Sequence, residues 1–377
     1  MMNILLIGKF PPCQGGVASK YYWLFSSLLA RKKDFQFRAI TIAKQPYTTM
    51  LPDNVASMVK IIDADCPGIP WFIPKSDLFV DQIVSIAMQL AESVRFDLII
   101  CNYLAPYLAA TYIIAKLLSL PYQVYPAGSD THKLLPCRLT SSALDAYLQN
   151  AAAVFMPKEK ITSFRAEHRA ISPCHVKETD RYVPNPSAFY SRPHQNNDFI
   201  LLCGKINKYW RLRGINKLCQ LLCANHGVRL KCIIQGAYCD EFKKELMSQV
   251  SASQLEFIDR FISPAAVPEV ISSSIGVWNY LGKGGIVDFP NTHWETIYSA
   301  RISFCSDYLL RQPDSQKTVD LFGKFIVNVD TKDWPLILSP CQETAIVRDN
   351  LEEKKRIYFE RYIERHYLMF KGDADEH

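Results

Sequence analysis

Four stretches of this chain place groups able to bind a ligand where the backbone is expected to turn. The most charged is GKINKYWRLRG, Gly204 to Gly214, which follows the apolar run FILLC and carries Lys205, Lys208, Arg211 and Arg213 without one acidic residue. Cations lacking a local counter-ion need an anion or water, and at the carboxyl end of a strand a phosphate is the better partner. A solvated basic loop is the structural alternative. A second stretch, KFPPCQGGVASK, stands after the first apolar run. There Pro11 and Pro12 hold the turn extended, and Gly15 and Gly16 strip side chains from the point where a helix begins. Such a helix start offers N–H groups and a partial positive charge that suit a diphosphate, although a tight strand-to-helix turn has the same composition.

The other two stretches are singled out by their carboxylates. PAGSDTHK sets Asp130 behind Gly128 and Ser129, either as an Asx-type turn capping the next helix or as a substrate contact; His132 beside it reads as a surface residue. GKGGIVDFPNTHWETIYSARISF carries Asp288 and Glu295, with Gly284 and Gly285 letting backbone approach a sugar or phosphate closely. Glu295 has an alternative as an exposed residue in a helix's first turn, stabilised by the dipole. The first loop is not the GxGxxG fingerprint, and no acidic residue follows a second strand as that motif requires, which disfavours hydride transfer.

The elements that must position these groups are legible as alternation. Apolar runs at 3–8, 36–43, 58–62, 97–101, 121–125 and 152–156 read as parallel strands, separated by segments of helical period. Between the first two, Val17, Tyr21, Leu24, Phe25, Leu28 and Leu29 give one apolar helix face. Prolines 173, 184, 186 and 193 and the polar run HQNND break the rhythm over 169–198, which is expected to connect two domains. It then restarts with strands at 199–204, 229–235, 275–279 and 303–306 and helices at 214–225, 240–250 and 292–301. A charged, helix-favouring segment from Gln342 to Phe370 is expected to return to the first domain.

Composition bounds the rest. A chain of 377 residues, 49% hydrophobic and 21% charged, calls for two ordinary cores. Its net charge of +6 is too small and diffuse for a nucleic-acid binder. The twelve cysteines are scattered through apolar runs and lack the paired spacings of a zinc site, so they read as buried thiols. MMNILLIGKF lacks the parts of a signal peptide, and the apolar stretch 104–121 is interrupted by Pro106 and Lys116. A cytoplasmic protein, compatible with peripheral contact at the inner face of a membrane, is therefore expected.

In this order, FPPCQGGVA, PAGSDTHK, YVPNP at 182–186, Gly204-Lys205 with Arg213-Gly214, and the Glu295 region resemble the landmarks of the retaining GT-B-fold glycosyltransferases, family four (glycosyl transferases group 1). The likeness runs from Phe10 to about Ser306 and departs at two places: Ala127 stands where many members carry His, and Val287 stands where they carry the first of two glutamates, with Asp288 adjacent. What it implies is two facing Rossmann-like doubly wound domains with an interdomain cleft, 1–187 completed by a helix at about 350–371, and 188–349. It further implies transfer of a hexosyl group from a nucleotide-diphosphate sugar to an acceptor hydroxyl with retention. Metal and cofactor are not needed, and the acceptor would be a glycan or lipid-linked molecule of cell-surface polysaccharide or glycolipid assembly. By the same likeness Lys205 and Arg213 would hold the donor diphosphate, Glu295 the ribose, Asp288 the donor sugar, Gly15, Gly16, Gly284 and Gly285 would approach the donor, and Asp130 would face the acceptor. A catalytically silent nucleotide- or glycan-binding partner and a nucleotide-sugar epimerase are the competing expectations.

Overall fold

The structure is a computed structural model and describes residues 1–13, 15–44, 51, 53–65, 74–127, 130, 134, 141–167, 171, 175–190, 198–208, 210–259, 262–283, 290–312, 323–331 and 345–372. It divides into two compact units, Met1–Tyr182 with Tyr362–His377, and Val183–Arg361.

The first unit is built on seven parallel strands: β1 (Met2–Ile7), β2 (Phe35–Ala43), β3 (Val59–Asp63), β4 (Leu98–Cys101), β5 (Tyr122–Val124), β6 (Ala153–Met156) and β7 (Val176–Glu178). Their order is β3-β2-β1-β4-β5-β6-β7. β4, β5 and β6 are buried at every position, because crossover helices cover both faces of a parallel sheet. The helix Gly16–Arg31 buries Tyr21, Leu24, Phe25 and Leu28 of the anticipated face, and also Tyr22 and Trp23. Tyr22 packs against Phe10 and Trp23, with ring centroids 6.5 and 5.0 Å apart, while residues of the helix Ala345–Lys371 pack on the anticipated face and near the helix end. The Phe25 and Phe370 rings lie 5.9 Å apart, the Gln123 side chain donates to the Met369 carbonyl at 2.8 Å, and Lys32 pairs with Glu364 at 2.6 Å. Phe25 also meets Phe35 and Phe37 edge-on, at 5.6 and 4.8 Å, a geometry that adds about 1 kcal/mol per pair beyond buried area.

The second unit carries six parallel strands: β8 (Phe199–Lys205), β9 (Arg229–Gln235), β10 (Leu255–Ile258), β11 (Gly276–Trp278), β12 (Ile302–Cys305) and β13 (Ile326–Asn328), in the order β10-β9-β8-β11-β12-β13. The helix Ile215–Ala224 buries Ile215, Leu218, Cys219, Leu221 and Leu222, and Cys239–Gln249 buries Phe242 and Leu246. Ile200, Leu202, Trp278 and Phe304 share this core. Both sheets therefore have doubly wound order, each with one place where the winding reverses: between β1 and β4, and between β8 and β11.

Three strands have no counterpart in the apolar pattern. β7 is VKE with one fully buried residue, β10 is LEFI with none, and β13 is IVN with one. All three are edges, where short strands of mixed polarity are the rule. β7 lies inside 169–198, the segment expected to be connection, since the prolines there leave room for a three-residue edge strand at Val176–Glu178. No helix of the described residues is long and apolar enough to cross a membrane.

Candidate functional site

In the second unit the carboxyl end of β8 forms a cationic corner. Gly204 has φ +126°, and a Cβ on it would stand 3.3 Å from an Arg213 guanidinium nitrogen. Arg213 closes the 3-10 turn Trp210–Arg213 and folds back on the strand end, its Nη1 and Nη2 each 3.4 Å from the carbonyls of Cys203 and Lys205. The turn is held from β11: the Trp278 indole donates to the Arg213 carbonyl at 2.7 Å, and the Gly282 N–H donates to the Leu212 carbonyl at 2.7 Å. Gly214, at φ +65°, lies against the Tyr280 ring so closely that a Cβ would meet it at 2.7 Å, and Tyr280 stacks on Trp278.

The electrostatics follow from that packing. Arg213 is half-buried, and desolvation lowers its pKa from the ordinary arginine value. Lys205 is exposed, and among the described residues neither cation has a carboxylate partner. Glu295 comes from the helix Asn291–Tyr298 and is 3% exposed. Burial pushes the Cys203 thiol up to about 12, and two charges act on it besides: Glu295 raises its pKa and Arg213 lowers it. A buried carboxylate and a half-buried guanidinium thus address the same strand end. Glu295 is the fifth residue of its helix, so it is not an exposed first-turn residue; the helix starts early, directly after Pro290.

In the first unit the equivalent edge is held by an asparagine. Asn102, fully buried just beyond β4, accepts from the Lys9 N–H at 2.7 Å and donates to the Lys9 carbonyl at 2.9 Å. A Cβ on Gly8 would fall 2.0 Å from the Asn102 oxygen, so only glycine allows this two-point clamp. The Lys9 ammonium stands 3.3 Å from the centre of the Tyr103 ring, a cation–π contact. The chain continues through Pro11-Pro12 to Gly15, at φ +117° with nothing within 4 Å of an added Cβ, and the helix begins at Gly16 with no acidic residue in its first turn.

Asp130 is 3% exposed and accepts from the Leu104 N–H at 2.9 Å, which ties the segment after β5 to the end of β4. Burial raises its pKa from 3.8 to about 6, against the opposing pull of the Leu104 and Ala127 backbone contacts and the Lys9 charge. The folded state thus holds this proton more tightly than the unfolded chain. The resulting stabilisation is full below pH 4 and is lost as pH rises through 6, on the order of 2–3 kcal/mol. Asp130→Asn is expected to match wild-type stability at pH 4 and to exceed it by about 2 kcal/mol at pH 8. Urea denaturation across that range measures the difference, and parallel curves for the two proteins would remove the assignment.

No protein-family model matches the sequence, and no curated protein matches it. Solved structures do. Anabaena HepE in complex with UDP aligns with a TM-score of 0.65 at 13% identity, covering 98% of this chain and 100% of that one. Sucrose-phosphate synthase from Thermosynechococcus elongatus aligns at 0.61 and 13% identity, with 99% of each chain covered. For α,α-trehalose 6-phosphate synthase from Burkholderia multivorans the values are 0.57 and 12%, over 99% of this chain and 98% of that one. The fold is of the GT-B type.

On this GT-B scaffold the residues singled out from sequence fall at the two points of reversed winding. Gly15, Gly16 and Asp130 lie in the first unit, Lys205, Arg213 and Glu295 in the second. Gly128, Ser129, His132, Gly284, Gly285, Val287 and Asp288 lie outside the described residues. What sequence reasoning missed is the support: Gly8, Lys9, Asn102 and Tyr103 in one unit, Trp278, Asn279 and Tyr280 in the other. A signal was present. The same Asn-Tyr-Leu closes β4 (Asn102 to Leu104) and β11 (Asn279 to Leu281), in each case the strand across the reversal from the first strand of its sheet.

Proposed function

We propose that this chain is a retaining glycosyltransferase that moves a sugar from a nucleotide-diphosphate sugar to an acceptor hydroxyl. The observation that carries the reading is the cationic corner at β8. Arg213 and Lys205 stand at the carboxyl end of a central strand with no carboxylate partner among the described residues, where a doubly wound sheet takes its ligand. Anabaena HepE, of like fold, has been crystallised with UDP, with UDP and glucose, and with UDP-glucose. That makes a uridine donor the first to test.

In the reaction the bond between the sugar C1 and the β-phosphate oxygen breaks, and its electron pair leaves on the diphosphate. The acceptor oxygen bonds C1 on the same face and passes its proton to the departing phosphate oxygen. The developing charge lies on the leaving phosphate, so Lys205 and Arg213 stabilise the transition state more than the ground state. Glu295 accepts from the ribose hydroxyls, and Asp288 with Gly284 and Gly285 contacts the donor sugar. The acceptor is a glycan or lipid-linked molecule of cell-surface polysaccharide or glycolipid assembly.

The test is incubation with UDP-, GDP- and ADP-sugars, following release of the nucleoside diphosphate with and without added sugar acceptors, alongside calorimetric binding of the diphosphates. Release from one donor together with binding of its diphosphate is expected, and Glu295→Ala should weaken that binding about tenfold or more. Binding without release would identify a silent partner protein. Conversion of the donor sugar to its epimer would identify an epimerase. Equal affinity of Glu295→Ala and wild type would take Glu295 out of the site.

A further inference from the structure

Burying polar side chains together adds little net stability; what a fully satisfied group fixes is geometry. The second unit holds one such group on the helix that carries Glu295 and the strands beside it. Asn279, buried just beyond β11, donates to the Ser303 hydroxyl on β12 at 2.9 Å and to the Thr296 hydroxyl at 3.3 Å. Its oxygen accepts from the Thr292 hydroxyl at 2.6 Å. The Ser303 oxygen is 2.8 Å from Nδ1 of His293, and the Cys305 sulfur lies 3.3 Å from that nitrogen and 3.3 Å from the Ser303 oxygen. Burial drives the His293 pKa down to about 3, so the imidazole is neutral at any physiological pH and the group carries no charge.

All three anchors on the helix Asn291–Tyr298 come from one side of it. At about 100° per residue, Thr292, Thr296 and His293 span an arc of about 100°, and Glu295 lies about 60° beyond Thr292. Bonds along that arc fix the rotation of the helix about its axis and so the direction of the Glu295 side chain. The far end is held as well: Lys355, fully buried, donates to the Tyr298 carbonyl at 2.6 Å, and Arg301 donates twice to the Ser272 carbonyl at 2.9 and 2.6 Å.

We propose that Asn279, acting through Thr292 and Thr296 and backed by Ser303, His293 and Cys305, is a positioning residue that aims Glu295 at the ribose hydroxyls and thereby sets a preference for ribonucleotide donors. This rests on the role given to Glu295 above. The experiment compares calorimetric affinities for UDP and 2′,3′-dideoxy-UDP in wild type, Glu295→Ala, Thr292→Val and Thr292→Ser, with the thermal midpoint of each protein. ADP and GDP with their dideoxy forms are used if the uridine pair does not bind.

Wild type is expected to favour the ribose form about thirtyfold, as hydrogen bonds to a carboxylate would. Glu295→Ala should abolish the preference. Thr292→Val, equal in shape but without the hydroxyl, should reduce it to about threefold, and Thr292→Ser should restore it. If Thr292→Val does not fold, Ser303→Ala is measured in its place. A Thr292→Val protein with a lowered midpoint and a full ribose preference would overturn the inference, leaving the group merely structural while Glu295 keeps its role. A preference undiminished in Glu295→Ala, or binding of none of the diphosphates, would overturn the ribose reading and this inference with it.

Discussion

Arg213→Ala is expected to lower turnover by about 10²–10³-fold with little change in folding stability, because in the proposed reaction the side chain acts at a developing charge and it holds little of the fold. Its two contacts to the Cys203 and Lys205 carbonyls are long, at 3.4 Å each. The bond that secures the turn, from the Trp278 indole, goes to the Arg213 backbone carbonyl and survives the substitution. Lys205→Ala removes an exposed cation and should cost about tenfold. Arg213→Lys keeps a point charge but not the planar fork, so it should fall between alanine and wild type. Steady-state kinetics with the active donor, read beside urea midpoints, make the comparison. Unchanged turnover in both alanine variants would remove the phosphate assignment, and a collapsed midpoint for Arg213→Ala would reassign the residue to the fold.

The largest effect on stability is expected from Gly236→Ala. Gly236 follows β9 at φ +141°, and a Cβ there would stand 2.0 Å from the Ile206 carbonyl oxygen. The obstacle is main chain in an adjacent loop that itself donates back, from the Ile206 N–H to the Gln235 carbonyl at 2.7 Å, so no side-chain rotation relieves it. The unfavourable backbone angle and the clash together should cost about 3–5 kcal/mol. Denaturant titration followed by tryptophan fluorescence measures it, since Trp210 and Trp278 both sit in this core. Gly204→Ala makes the control: it shares a positive φ, but its Cβ meets only the end of the flexible Arg213 side chain, at 3.3 Å. It should lose less stability while displacing the guanidinium. Equal losses in the two proteins would mean that the torsion alone, and not the neighbouring carbonyl, sets the cost.

The contrast between these two glycines shows how far the sequence could be read. Apolar runs long enough to be buried on both faces, such as FILLC and DLII, announce central parallel strands without ambiguity, and both doubly wound halves were legible from them. Edge strands were not, because VKE and IVN need pair with only one neighbour and so carry no pattern of their own. Lys205, Arg213 and Glu295 could be picked out because charge beside a buried strand is conspicuous. Asn102 and Asn279 could not, since an uncharged amide is informative only once its partners are known, and those lie 93 residues away at Lys9 and 24 residues away at Ser303. The burial of Glu295 was hidden for a related reason, since a carboxylate on a helix reads as solvent-exposed until the packing around that helix is known.

The helix Ala345–Lys371 has a consequence for biosynthesis. Its residues from Tyr362 onward supply Met369 and Phe370 to the first unit, whereas Val183–Arg361 forms the second unit as one uninterrupted segment. During translation the later unit therefore has its whole complement of residues first, and the earlier one waits with Phe25 and Gln123 uncovered until the final turns emerge. Nascent chains stalled before Tyr362 should accordingly engage chaperones through their amino-terminal half, reversing the usual order in which domains mature.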